Sequence, residues 1–253
     1  MHVVLDIIDY ARLVANEQDE IQKLILASST QGAFFLNLQG SAANEALLNK
    51  ARVIRAQRNF FARGMQHKQP YSTGVDHDGY ASQDDVHVQT LKISRMQQIQ
   101  GQLALPLDLR PIQANLSDLA GFIDLVLRRL SFILCTSLDP SIPVEVASDD
   151  GSPGISNLCL GLAAAPIGTS LMEPHTDSDL LTMTFYDSAF LELHSPETGE
   201  WCVVDVNANM PLVNIGRSFQ SVSGNKLKAP SHGVRQSDGD IDLVMYDLHR
   251  CSP

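Results

Sequence analysis

Residues 173–185 read EPHTDSDLLTMTF. On an extended strand, alternate residues share a face, so His175 and Asp177 project together while Thr176 points the other way. An imidazole and a carboxylate aimed at one point form part of a ligand set for a cation. The third donor has to come from elsewhere, and KAPSHGVRQ (228–236) supplies His232 after a turn. Two imidazoles and one carboxylate on one face of a six-coordinate ion leave three positions open, which suits Fe(II) with exchangeable ligands. No thiolate lies nearby, which argues against a closed zinc site. By itself, H-x-D is a weak signal, because histidines and aspartates near turns are usually solvated or hydrogen-bonded.

The surrounding sequence divides in two. After DDGSPG (149–154) come short apolar runs punctuated by PETGE (196–200), SGN (223–225) and SDGD (237–240), the pattern of an antiparallel sandwich or jelly roll. Before it, helical periods dominate. VVLDII (3–8) reads as a strand, and Asn16 reads as the cap of a helix with Ile21, Leu24 and Ile25 on its apolar face, stopping near Gly32. AFFLNL (33–38) reads as a buried strand. A second helix is expected from a Ser41 cap to Phe61, and a third over about 117–135. The polar stretch 71–85 reads as a loop. The expected architecture is α+β, a helical N-terminal half (1–148) packed against a β-rich region (149–253).

Composition bounds the partners. The chain has 253 residues, 44% of them hydrophobic, and 18 basic against 29 acidic side chains give a formal charge of -11. With no basic cluster to follow a phosphate backbone, nucleic acid is not an expected partner. The first residues carry Asp6 and Asp9 and lack a signal-peptide pattern. The most apolar segment, 119–134, is interrupted by Asp124, Arg128 and Arg129, so it reads as a core helix and not a membrane span. Four scattered cysteines without C-x-x-C spacing fit reduced thiols, and a cytoplasmic location is expected. Oligomeric state is not legible.

Several segments in order resemble the isopenicillin N synthase-like branch of the non-haem Fe(II)/2-oxoglutarate-dependent oxygenases. HTDSDLLTMTF is similar to that family's H-x-D strand, ETGEWCVV to its tryptophan hairpin, PLVNIG to its V-N-x-G turn, and SVSGNKLKAPSHGV to the stretch carrying the last ligand. LDIIDYARL, ASSTQGAFFLNLQG, RNFFARGMQHKQPY and DGYASQ follow the order of its N-terminal region, so the resemblance covers nearly the whole chain as one domain, 1–253. It implies a double-stranded β-helix (jelly-roll) core, and iron held by His175, Asp177 and His232. It also implies oxygenase or oxidase chemistry on a C–H bond of a small, specialised-metabolite substrate, using O2. Tyr80 matches a family position on the substrate side. A member of the fold that binds metal or ligand without turnover is the competing class.

The resemblance breaks where the family anchors the far carboxylate of 2-oxoglutarate. About ten residues beyond the last ligand the family carries R-x-S, a guanidinium fork with a hydroxyl. Here the chain reads SDGDIDLVMYDL, with Asp240 and Asp242 near the Arg and Ser positions. Leu162 and Ala163 stand where relatives place a cosubstrate tyrosine. Facing the pocket, Asp240 and Asp242 would repel that carboxylate, each by about 4 kcal/mol at ~4 Å and an effective dielectric of ~20. Arg235 and Arg250 are the candidate replacement anchors, with Arg217, Lys226 and Lys228 behind them. Use of 2-oxoglutarate therefore stays open, with an isopenicillin N synthase-type oxidase as the alternative. His67, His77, His87 and His194 read as solvated, Glu173 as a surface acid and Trp201 as core.

Overall fold

The structure is a computed structural model and describes residues 2–74, 78–83, 87–138, 155–186, 190–195, 198–204, 210–236 and 239–249. The strands are β1 (His2–Val3), β2 (Ile7–Asp9), β3 (Ala33–Asn37), β4 (Gly79–Gln83), β5 (Val88–Ser94), β6 (Asn157–Ala163) and β7 (Ser170–His175). They continue with β8 (Leu181–Tyr186), β9 (Phe190–His194), β10 (Trp201–Val204), β11 (Leu212–Ile215), β12 (His232–Arg235) and β13 (Ile241–Leu248). The helices are α1 (Tyr10–Val14), α2 (Gln18–Thr30), α3 (Ser41–Phe61), α4 (Met65–Lys68), α5 (Arg95–Ile99), α6 (Gln113–Leu138) and α7 (Arg217–Val222).

Two sheets form, in the orders β1-β10-β9-β12-β7 and β2-β3-β11-β8-β13-β6-β5-β4. The fold is α+β with a jelly-roll core. Alternation along the larger sheet explains both of its faces. Leu158, Leu160, Met183, Phe185, Val244 and Tyr246 belong to the core cluster shared with α2, α3 and α6. The Tyr246 hydroxyl donates to Asp124 Oδ1 of α6 at 2.8 Å, which ties that face to the helix. A second cluster, with Phe35, Leu171, Tyr186, Leu191, Leu193 and Ile241, draws on both sheets and fills the space between them.

Some expectations shift. The strand expected over 3–8 divides into β1 and β2, which pair with β10 and β3 of different sheets. Asn16 lies at φ 58, in the left-handed turn before α2, and Glu17 takes the N-cap position. Gly40, not Ser41, occupies the N-cap of α3. The polar stretch 71–85 contributes β4, which pairs with β5. Strands β2 to β5 put the N-terminal region into the larger sheet, so the sheet crosses the division drawn at residue 148. Alternation hid this, because β4 and β5 are mostly half-buried and carry Gly, Ser, Gln and Thr. Trp201, expected in the core, is 38% exposed and lies edge-on to His194. Glu173 is exposed, as expected of a surface acid.

Candidate metal centre and its cavity

His175 ends β7 and His232 begins β12, and the antiparallel register sets these residues opposite each other. Their rings lie 4.4 Å apart between centroids. Asp177 follows two residues after His175, in the turn to β8. Its Oδ1 stands 3.5 Å from His175 Nε2 and 3.6 Å from His232 Nε2. Each imidazole turns its other nitrogen to a backbone carbonyl: His175 Nδ1 to Glu173 O at 2.8 Å and His232 Nδ1 to Pro230 O at 3.3 Å. A carbonyl can only accept, so Nδ1 carries a hydrogen, and in the neutral imidazole Nε2 is the nitrogen that offers a lone pair to the shared point.

The turn holding Asp177 is clamped from below. Arg217 N donates to Asp177 O at 2.8 Å, Ser218 N to Asp179 O at 3.2 Å, and Ser218 Oγ to Ser178 O at 2.6 Å. Gly216 permits this approach, since a Cβ there would run into the Asp179 carbonyl. Asn214 Nδ2 reaches Asp177 Oδ2 at 3.5 Å. PLVNIG thus supports the Asp177 side chain and its turn, a role not legible for Asn214 in the sequence.

Burial would raise the pKa of Asp177, but hydrogen bonding from His175, the charge of His232 and the Thr182 hydroxyl outweigh it, and the net shift is downward. Burial lowers His232 and His175 adds to that, with Asp177 opposing. Hydrogen bonding to Asp177 raises His175 against its partial burial. A carboxylate beside a buried neutral imidazole is the ionic form that binds metal. A second group, Asp179, Asp247 and His249, also brings donor atoms within 4.8 Å of one another. Burial and neighbouring carboxylates raise Asp179, and burial with Asp177 raises Asp247 to about 7. That group therefore favours protonated acids over a carboxylate cage.

A cavity of about 120 Å³ opens beside the His175, Asp177 and His232 side chains, between the sheets. Its walls include Val88, Ala163, Leu171, Val234, Ile241 and Leu243, with hydroxyls from Thr90, Thr182, Thr184 and Tyr186. Tyr186 is hydrogen-bonded to Thr184 and pushed upward by burial. A larger hollow of about 570 Å³ adjoins it, sharing Val88, Thr90, Leu171 and Met172 and adding Ala81, Gln83, Ser170 and Glu173.

The expected anchors fall elsewhere. On β13 the cavity sees Ile241, Leu243 and Met245, so Asp242 faces the helices. There Asp242 is 1% exposed and accepts from Arg58 Nε at 2.7 Å and Gln57 Nε2 at 3.3 Å. Asp240 is exposed in the turn before β13. Neither acid repels a ligand in the cavity, which corrects the expectation above. Arg235 pairs with Glu192 at 2.7 Å on the outer face of β12, opposite the side from which Val234 lines the cavity, so it is no anchor. Arg250 and His77 lie outside the described residues. Tyr80 is 5% exposed in the helix-side core, edge-on to Phe60, with its hydroxyl donating to Gln89 Oε1 at 3.0 Å. It packs and does not line either cavity. Leu162 borders the smaller cavity, but it lies opposite Asp242 and Gln89 and its side chain packs with the helix-side core.

Comparison with known proteins agrees with this geometry. Residues 159–250, which hold all three converging side chains, match the model of the 2OG-Fe(II) oxygenase superfamily. The chain is 26% identical to the 2-oxoglutarate-dependent dioxygenase frbH of Dothideomycetidae sp. (strain 11243), over 91% of the chain and 75% of that relative. It is 23% identical to the 2-oxoglutarate-dependent dioxygenase FG08081 of Gibberella zeae, over 91% of the chain and 73% of that protein. In fold it resembles a full-length Neurospora crassa protein crystallised in complex with alpha-KG and 5-formyluracil, with a TM-score of 0.80 and 17% identity over 96% of the chain and 83% of that one. The auxin-oxidising dioxygenase DAO1 of Arabidopsis thaliana superposes with a TM-score of 0.76 and 18% identity, over 98% of the chain and 93% of its own.

Iron fits the site: two lone-pair nitrogens and a carboxylate converge, each held from behind. The five-carbon dicarboxylate 2-oxoglutarate finds no charged partner for its far carboxylate on the described walls of the smaller cavity. Among the described lining residues there is no arginine or lysine, and the positions one strand-face from Asp242 are Ile241 and Leu243. A carboxylate moved from water into such a lining leaves its oxygens without charged partners.

Proposed function

We propose that this protein is an Fe(II)-dependent oxygenase or oxidase that attacks a C–H bond of a small specialised metabolite. The convergence of His175 Nε2, Asp177 Oδ1 and His232 Nε2 at the mouth of an apolar cavity carries the reading. Those three side chains are its metal ligands. Bound Fe(II) supplies the activation of O2. The chain's own part is to hold the ligands and to exclude water. The Glu173 and Pro230 carbonyls fix both imidazole tautomers, and Asn214 with the Arg217 amide fixes Asp177. The hollow of about 570 Å³ is the place for the main substrate, since it adjoins the cavity and has both polar and apolar walls. Apolar walls keep water from the reacting centre, which suppresses side reactions.

The order of the H-x-D, tryptophan, V-N-x-G and last-ligand segments supports the isopenicillin N synthase-like branch, with residues 1–253 as one domain. The acidic charge and absence of a basic cluster support small-molecule chemistry over nucleic-acid binding. Among the described residues no helix is long and apolar enough to cross a membrane, and scattered cysteines support a cytoplasmic site of action. The test is anaerobic Fe(II) titration followed by O2 consumption, with wild type and the three single alanine variants. Stoichiometric binding by wild type and loss in each variant is expected. Wild-type affinity in any of the three would overturn the ligand set.

A further inference from the structure

We infer that the smaller cavity binds a 2-oxo monocarboxylic acid with a short branched apolar tail, in place of the dicarboxylate 2-oxoglutarate. This rests on the proposed iron site, because the oxo acid would reach the metal through its carboxylate and keto oxygens. Three observations carry it. The cavity touches all three converging side chains, so a ligand held by the metal extends into it. Among its described lining residues no cation offers a carboxylate anchor, and Ile241 and Leu243 from β13, with Ala163 opposite Ile241 across the β6 register, line it with hydrocarbon. Its volume, about 120 Å³, is close to the ~150 Å³ that accommodates benzene in an apolar protein cavity, which is room for a four-carbon branched chain.

The hydroxyls do not reverse this. Tyr186 is already hydrogen-bonded to Thr184. The adjoining hollow of about 570 Å³ offers the main substrate a place of its own, which leaves the small cavity to a second small ligand. Each methylene buried there should tighten binding roughly fourfold.

The experiment loads the full chain with Fe(II) under anaerobic conditions and confirms metal binding by calorimetry. Pyruvate, 3-methyl-2-oxobutanoate, 4-methyl-2-oxopentanoate and 2-oxoglutarate are then titrated in turn, following heat and the visible band of the chelated 2-oxo acid. The expected result is affinity rising from pyruvate to 4-methyl-2-oxopentanoate, with 2-oxoglutarate at least tenfold weaker than the latter. Leu243→Arg should reverse that preference while keeping the metal. Should that variant not fold, the wild-type series decides by itself, and Ala163→Leu, which fills the cavity, should weaken the branched acid and leave Fe(II) affinity unchanged. Iron binding together with equal or tighter 2-oxoglutarate binding, or with no 2-oxo acid bound, would overturn this inference and leave the iron site standing. Failure to bind iron would overturn both.

Discussion

At the scale of single residues, the site depends on orientation more than on composition. His175 and His232 hold their lone pairs toward one point because a backbone carbonyl fixes the far nitrogen of each ring. Asp177 depends on Asn214 and the Arg217 amide. Asn214→Ala should therefore weaken Fe(II) binding by about 10- to 100-fold, the usual cost of losing a partner that orients a ligand. Calorimetric titration against wild type checks this, and an unchanged affinity would remove Asn214 from the support. His232→Ala should go further and abolish tight binding, since two ligands remain. Circular dichroism should show the fold retained, because the sheet core and not the metal holds a chain of this size.

At the scale of elements, β13 shows how one residue of register decides function. Counting about ten positions from His232 reaches Asp242, and the count alone suggests acid in the pocket. A shift of one residue on a strand turns every side chain to the other face. The structure gives the cavity Ile241, Leu243 and Met245, and gives α3 the buried Asp242. Gln57 of α3 is fully buried, and its Nε2 also donates to Gly161 O at 3.0 Å, so it binds both β6 and β13. Gln57→Ala should destabilise the protein by about 1–3 kcal/mol, because it leaves buried acceptors short of a donor. Denaturant unfolding measures the loss, and Fe(II) affinity should be unchanged because α3 lies on the opposite face of the sheet. A variant as stable as wild type would show that the contact contributes nothing net.

At the scale of the whole molecule, the same interior that shelters the site makes stability depend on pH. Burial, with the charge of Asp177, raises Asp247 from an ordinary carboxyl value near 3.8 to about 7, despite the Lys92 charge and a hydrogen bond from Asn157. The folded state keeps a proton on this carboxyl that the unfolded chain releases above about pH 4. Between about pH 4 and 7 the folded state therefore binds more protons, and the contribution of Asp247 to stability falls as pH rises. Above about 7 both states are ionised and the loss is complete. Asp247→Asn stays neutral throughout, so metal-free protein carrying it should gain about 1 kcal/mol or more at pH 8, ~2–4 °C in Tm. Melting curves at pH 5 and 8 check the sign: the variant's gain should shrink at the lower pH.

The sequence by itself determined the jelly-roll core, the chain's three converging donors and the apolar helix faces, because periodicity and short motifs act within a few residues of chain. H-x-D marked the pair, but His175 ends β7 and Asp177 lies in the turn after it, so turn geometry and not strand alternation brings the two together. Tertiary structure decided the rest. β4 and β5 join the larger sheet although their Gly, Ser, Gln and Thr residues give no apolar alternation, since pairing partners and not composition make them strands. Tyr80 packs on Phe60, and Arg235 pairs with Glu192 outside the cavity. The character of the small cavity was hidden for the same reason. Which face of β13 meets the cavity beside His175, Asp177 and His232 is set by pairing with β6 and β8, a long-range register that no local count of residues contains.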